Sequence, residues 1–169
     1  MLRVIFDTNV YGKLLEESDG IEIERKIQED KQFIVYGYDP VRKEIRNVPR
    51  RTKLSRTARI KLLSMYDRIT GKHILKHSLK ITYLAKKYYD CYRNLGGIYG
   101  WDTSIRIDFV IVACASLYGM DVICSADKKT MLGKQARKAY QHINVHESLR
   151  TPYFLKYAEL IEKFRNYNL

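Results

Sequence analysis

Residues 2–9 read LRVIFDTN. Leu2, Val4, Ile5 and Phe6 are aliphatic or aromatic and packed into five positions, which reads as a short buried strand. The strand ends on a carboxylate, Asp7, with no basic neighbour on its far side. An amphipathic segment, Val10 to Glu17, follows at once and reads as a short helix. Two explanations compete for the polar triplet Asp7-Thr8-Asn9: a helix cap, with Thr8 or Asn9 as the capping residue, or the first residue of an active site. The second needs partners elsewhere in the chain.

Outward from this stretch, apolar Ile21, Ile23 and Ile27 recur among charges and predict a second helix ending before Lys31. Phe33 to Tyr36 is a second β-rich run. Asp39-Pro40 has the pattern of a helix cap followed by proline in the first turn, predicting a helix that carries Val41, Glu44 and Ile45. Leu54, Ala58, Leu62, Met65 and Ile69 keep helical spacing within a cation-rich stretch, and Ser78 to Arg93 reads as a further helix stopped by Gly96-Gly97. The run from Ile107 to Gly119 is apolar nearly all round and ends on glycine, so a buried helix is expected. Asp121 to Ser125 reads as a strand, Ile143 to His146 as one more, and Tyr153 to Phe164 as a final amphipathic helix. Strands separated by helices predict an α/β fold with a parallel sheet covered on both faces. A chain of 169 residues fits one domain, 1–169, with a basic helical insertion at about 47–106.

Lys and Arg outnumber Asp and Glu 31 to 19, a formal net charge of +12. So basic a chain is suited to a polyanion, and nucleic acid is the commonest. The apolar runs are too short to span a bilayer, and no membrane partner is expected. The N-terminus shows no basic region followed by a long apolar stretch and a cleavage site, so the expected location is cytoplasmic. Cys91, Cys114 and Cys124 form no CxxC pair, and buried reduced thiols are expected at the last two. His73/His77 and His142/His146 are spaced to share helix faces, without the cysteine companions of a zinc site.

In open α/β sheets, ligands collect beyond the carboxyl ends of the strands. Asp7 lies there after the first strand, and Asp127 lies just past the strand Val122 to Ser125. Asp108 precedes the buried helix. Singly, each has an ordinary explanation as a cap, a turn residue or a first-turn acid. Together they form a self-repelling cluster that a hard divalent ion, Mg²⁺ or Mn²⁺, would neutralise through oxygen ligands.

VIFDTN, DFVIVACAS and VICSAD, in this order, resemble the three signature blocks of the PIN-domain nucleases, including the toxin-like and archaeal-type ribonucleases. The resemblance runs from Leu2 to about Val145. It implies an α/β/α sandwich with a central parallel sheet of four to five strands. It also implies an acidic pocket that holds one or two Mg²⁺ or Mn²⁺ ions and cleaves RNA. On that likeness Asp7, Asp108 and Asp127 are catalytic metal ligands, joined by Glu44 from PVRKEIRN. Asn9 and Ser125 would orient ligands or waters, with Thr8 beside them as a cap. Asp102 reads as a loop acid. No serine or cysteine nucleophile is required.

Four carboxylates repel a polyanion, so the grip must come from elsewhere. Arg50, Lys53, Arg56 and Arg59 recur every third residue, with Arg51 beside them, and on a helix they form one slowly turning basic face. Such a face meets phosphates without reading bases. The next helix interleaves Lys80, Lys86, Lys87 and Arg93 with Tyr83, Tyr88, Tyr89 and Tyr92. These tyrosines could stack on unpaired bases, but Tyr88 and Tyr92 are expected in the core. The expected activity is metal-dependent endoribonucleolysis of single-stranded or locally unpaired RNA. The alternatives are the toxin of a toxin–antitoxin pair, which would bind an antitoxin protein, and an RNA-binding module without catalysis. The resemblance leaves a homodimer open.

Overall fold

The computed structural model describes residues 1–47 and 53–166, with side chains described for 1–47 and 56–166. Five parallel strands form one sheet in the order β3-β2-β1-β4-β5. They are β1 (Leu2–Phe6), β2 (Phe33–Tyr38), β3 (Ile74–Leu75), β4 (Val122–Ser125) and β5 (Tyr153–Lys156). The helices are α1 (Thr8–Glu16), α2 (Gly20–Glu29), α3 (Asp39–Arg46), α4 (Lys53–Thr70), α5 (Leu79–Asn94), α6 (Ile105–Leu117), α7 (Lys134–His146) and α8 (Tyr157–Arg165). This agrees with the expected α/β/α sandwich around a parallel sheet of four to five strands, the number being five. Among the described residues no helix is long and apolar enough to cross a membrane.

The strand order fixes where the site lies. From β1 the chain winds outward to β2 and β3, then returns to the other side of β1 to lay down β4 and β5. The direction of winding therefore reverses between β1 and β4, and the crevice beyond their carboxyl ends is the switch point. Ile5 pairs with Ile123 and Phe6 with Cys124. The amide of Asp7 continues this ladder to the Cys124 carbonyl at 2.9 Å.

Two aromatic groups fill the core. Phe6, Tyr11, Phe33, Tyr66 and Phe164 join β1 and β2 to α1, α4 and α8, with ring centroids 5.3–6.2 Å apart. Tyr88, Tyr92, Phe109, Tyr140 and Phe154 join α5, α6, α7 and β5. Helix α6 is buried at every position from Asp108 to Ser116, as its apolar run requires. It stops where Gly119 takes φ of 62°, a left-handed value that favours glycine, and Met120 N–H bonds back to the Ala115 carbonyl at 2.8 Å. The basic stretch from 47 to 106 contributes β3 and two helices with core faces: Leu62, Met65, Tyr66 and Ile69 on α4, and Ile81, Leu84, Ala85, Tyr88 and Tyr92 on α5. Tyr88 and Tyr92 are thus core residues, as expected.

Several local expectations are corrected. The cap of α1 is Asp7, whose carboxylate accepts from the Thr8 amide, so neither Thr8 nor Asn9 is the cap. Tyr38 occupies the N-cap position of α3 without a side-chain capping bond, and Asp39 is already the first residue of the helix. Ile143 to His146 is the last turn of α7, where Ala136, Ala139, Tyr140 and Asn144 keep a buried helical stripe that the short β-branched run concealed. Tyr153 to Phe164 is not one helix: Tyr153–Lys156 pairs in register with Val122–Ser125, and the helix begins only at Tyr157. The two-residue β3 was not foreseen, and His73 and His77 flank it instead of sharing a helix. His142 and His146 do share a face of α7, with rings 4.8 Å apart.

Candidate active site

Asp7, at the end of β1, is 3% exposed, and Asp108, in the first turn of α6, is 6% exposed. Both are held in place. The Oδ1 of Asp7 accepts from the Thr8 amide at 2.7 Å. Its Oδ2 accepts from the Ser125 hydroxyl at 2.8 Å and from Asn9 Nδ2 at 2.6 Å. Asn9 also accepts the Ala126 amide at 2.9 Å, and Ser125 Oγ accepts the Asp127 amide at 3.0 Å. The exit of β4 is thereby tied to the exit of β1. Asn9 and Ser125 thus both hold the Asp7 carboxylate by hydrogen bonds.

Thr8 turns its hydroxyl away from the helix end and donates it to Oε2 of Glu44. That contact joins α1 to α3 and brings Glu44 to the edge of the cluster. Asp127, past β4, folds its own turn: its Oδ1 accepts the amides of Lys129 at 2.7 Å and Thr130 at 3.0 Å. Thr130, 7% exposed, was not foreseen. Its hydroxyl lies between Oδ2 of Asp108 and Oδ2 of Asp127, 2.5 Å from the latter. The only signal for it in the sequence is its position three residues after Asp127, the spacing of a side-chain-capped turn.

Carboxylates dominate the charge in this cluster. Burial pushes the Asp7 carboxyl up to about 6, against the hydrogen bonds from Ser125 and Thr8, and the charges of Glu44 and Asp127 add to the rise. Burial, followed by the charge of Asp7, pushes Asp108 up to about 8; Thr130 opposes this, and Asp127 and Glu44 reinforce it. Burial also acts on Asp127, but the hydrogen bonds from Thr130 and Lys129 outweigh it and leave this carboxyl below its ordinary value. One hydroxyl carries one proton, so Thr130 cannot donate to both of its neighbours. Both contacts are satisfied only when one of the two carboxyls carries a proton and donates it to Thr130, and the upward shift of Asp108 against the downward shift of Asp127 favours Asp108 in that role. Among the described residues, no ion pair involves Asp7, Glu44, Asp108 or Asp127. The chain carries a net charge of +12, yet among the described residues no cation forms an ion pair with these acids, although the charge of Lys129 acts on Asp127.

The donor set consists of carboxylate and hydroxyl oxygens without thiol or imidazole, which suits hard divalent ions. As the side chains stand, among the described residues no three His, Cys, Asp or Glu converge closely enough to enclose a metal ion. Thr130 occupies the space between Asp108 and Asp127 instead. The chemistry of the site fits a divalent cation, which would replace the proton shared through Thr130 and relieve the repulsion.

A cleft of about 540 Å³ opens beside Glu44, walled by Lys43, His77, Asp102, Thr103 and Arg106. Asp102 therefore belongs to the cleft wall; it is exposed and stands apart from the buried acids. A second cavity, of about 640 Å³, lies between α5 and α7 near Cys91, His142 and His146 and contains none of the four acids. Of the basic residues singled out in the sequence, Arg50, Arg51 and the side chain of Lys53 lie outside the described residues. Arg56 is exposed and Arg59 partly so on α4.

No curated protein matches the chain. The family model described as PIN domain matches residues 4–138, from the middle of β1 into α7, and includes all four acids. The fold is accordingly one of nuclease type, in a family whose members commonly are metal-dependent ribonucleases. With a parallel sheet whose switch point gathers Asp7, Asp108 and Asp127, and with four-fifths of its length matched, the chain belongs to the PIN-domain family.

Proposed function

We propose that the protein is a Mg²⁺- or Mn²⁺-dependent endoribonuclease that hydrolyses phosphodiester bonds of single-stranded or locally unpaired RNA. The observation that supports this best is the group of four mutually repelling carboxylates at the switch point, which form no ion pair among the described residues of a strongly basic chain. Repulsion of that kind lowers stability unless a cation is bound, so the arrangement is costly for a purely structural role. When bound, the ion supplies Lewis-acid stabilisation of the charge that builds up on the reacting phosphate.

The chain's own residues divide the remaining work. Asp7, Asp108 and Asp127 hold the ion, and Glu44 at the cleft edge orients the attacking water. Ser125 and Asn9 fix the rotamer of Asp7, and Thr8 fixes that of Glu44. Lys43 and Arg106 give the cleft the positive charge that the acids lack. The test is cleavage of end-labelled single-stranded RNA with Mg²⁺ or Mn²⁺. Activity should disappear with EDTA and in Asp7→Asn. Cleavage that survives Asp7→Asn purification would mean a contaminating nuclease and overturn the assignment.

A further inference from the structure

The loop between α5 and α6 carries the chain's single tryptophan, Trp101. It is held unusually firmly for a surface loop. The Tyr99 amide donates to the Tyr92 hydroxyl at 3.2 Å, and the Trp101 amide donates to the Tyr89 hydroxyl at 3.0 Å. Gly97 lies so close to the face of the Tyr92 ring that a Cβ there would sit 2.2 Å from ring atoms, so the loop can lie flat on α5 only with glycine at this position. The indole rests against Tyr89, with centroids 5.2 Å apart, and stays half-exposed.

Two cations flank it. Lys86 Nζ is 5.0 Å from the indole centroid and 4.6 Å from that of Tyr89, while also pairing with Asp90 at 3.7 Å. The Arg106 guanidinium is 5.7 Å from the indole centroid. Arg106 is also a wall residue of the cleft that contains Glu44. Arg106 therefore connects the aromatic surface to the cleft that contains Glu44. Neither Arg106 nor Lys43 across the cleft takes part in an ion pair among the described residues.

We propose that Trp101 is the platform on which an unpaired base of the substrate strand stacks, with Arg106 and Lys43 binding the phosphates between that base and the acidic centre. A half-exposed indole fixed by its backbone loses little entropy when a base stacks on it. Flanking cations meet the backbone of a strand whose base is so held, and stacking accepts any base. Within a duplex each internal base is already stacked on both faces, so the arrangement favours unpaired strands. The inference rests on the nucleic-acid reading of the site and deepens it.

Because Trp101 is the only indole, its emission reports on this position alone. The experiment titrates Asp7→Asn protein, which leaves the strand intact, with a short single-stranded RNA and with a matched strand of abasic nucleotides, at low salt with Mg²⁺. Binding is followed by anisotropy of an end label and by tryptophan emission. The intact strand should quench emission saturably. The abasic strand should bind about tenfold more weakly and leave emission unchanged. Trp101→Ala should weaken binding of the intact strand about tenfold, and Trp101→Phe should restore most of it. Binding without quenching, and with equal affinity for the two strands, overturns the platform and leaves the nuclease reading standing. Base-dependent quenching in a protein that never cleaves RNA overturns the nuclease reading and leaves the platform standing. Absence of binding by either strand overturns both.

Discussion

Ser125 and Asp7 are 118 positions apart in sequence, yet the hydroxyl of one lies 2.8 Å from Oδ2 of the other. Parallel pairing of β1 with β4 makes them neighbours, since Ile5 faces Ile123 and the next side chains on that face are Asp7 and Ser125. Replacing Ser125 with Ala releases one of the two side-chain donors that set the Asp7 rotamer. Loss of such a supporting contact costs about 10- to 100-fold in metal affinity or activity. Ser125→Ala should therefore cleave RNA at least about tenfold more slowly and need more Mn²⁺ for half-maximal rate, with an unchanged circular dichroism spectrum. A wild-type Mn²⁺ titration would remove Ser125 from the site.

Thr130 shares its hydroxyl between Asp108 and Asp127. Thr130→Val keeps the volume and takes the hydroxyl away, leaving buried Asp108 without this partner and Asp127 with only the Lys129 and Thr130 amides. In EDTA at neutral pH this should lower unfolding free energy by about 1–3 kcal/mol, read from urea denaturation. Unaltered stability would contradict the shared proton.

Asp7 and Asp108 have carboxyls raised from the ordinary 3.8 to about 6 and about 8. The folded chain thus holds protons that the unfolded chain has released. The stability they contribute is complete below about pH 4 and is lost as pH rises through about 6 and then about 8. Asp127, held below its ordinary value, acts in the opposite sense, and only under more acidic conditions. In EDTA the thermal midpoint should be lower at pH 8.5 than at pH 5.5, and Mg²⁺ or Mn²⁺ should raise it more at pH 8.5, where the acids are ionised. Equal cation stabilisation at both pH values would count against binding at these carboxylates.

The hydroxyls of Tyr11 and Tyr140 are buried without a hydrogen-bond partner among the described residues. Removing an unsatisfied buried hydroxyl while keeping the ring relieves its desolvation penalty. Tyr140→Phe should be neutral or more stable by about 1 kcal/mol. A loss of more than that would reveal a partner for this oxygen, a bound water being the simplest.

On α4, Arg56 and Arg59 stand at least partly in solvent. If the basic face grips the RNA backbone, changing both to Ala should weaken binding at low salt. The slope of log affinity against log salt should become shallower by about 1.4, two phosphate contacts' worth for a single strand. An unchanged slope would place the grip elsewhere, with Lys43 and Arg106 the next residues to test.

Much of this molecule could be read in one dimension. The apolar strand before Asp7, the all-round apolar helix after Asp108 and the strand before Asp127 are local patterns, because burial on every side leaves no polar residue to interrupt them. Their order along the chain carried the family and the three central acids. The errors came where local pattern is weak. Ile143 to His146 is too short for its period to separate strand from helix, and only the stripe from Ala136 onward decides it. Tyr153–Lys156 is half-exposed and becomes a strand through pairing with β4. What tertiary structure alone decided are relations between distant residues. They include the winding reversal that sets Asp7 beside Ser125, the pairing of Thr8 with Glu44, the Thr130 hydroxyl between two acids, and the Arg106 side chain between Trp101 and the cleft. The sequence determined which residues have chemistry to offer, because composition and period are local properties. Which of them meet depends on strand order and helix packing, which bring together groups that no spacing along the chain connects.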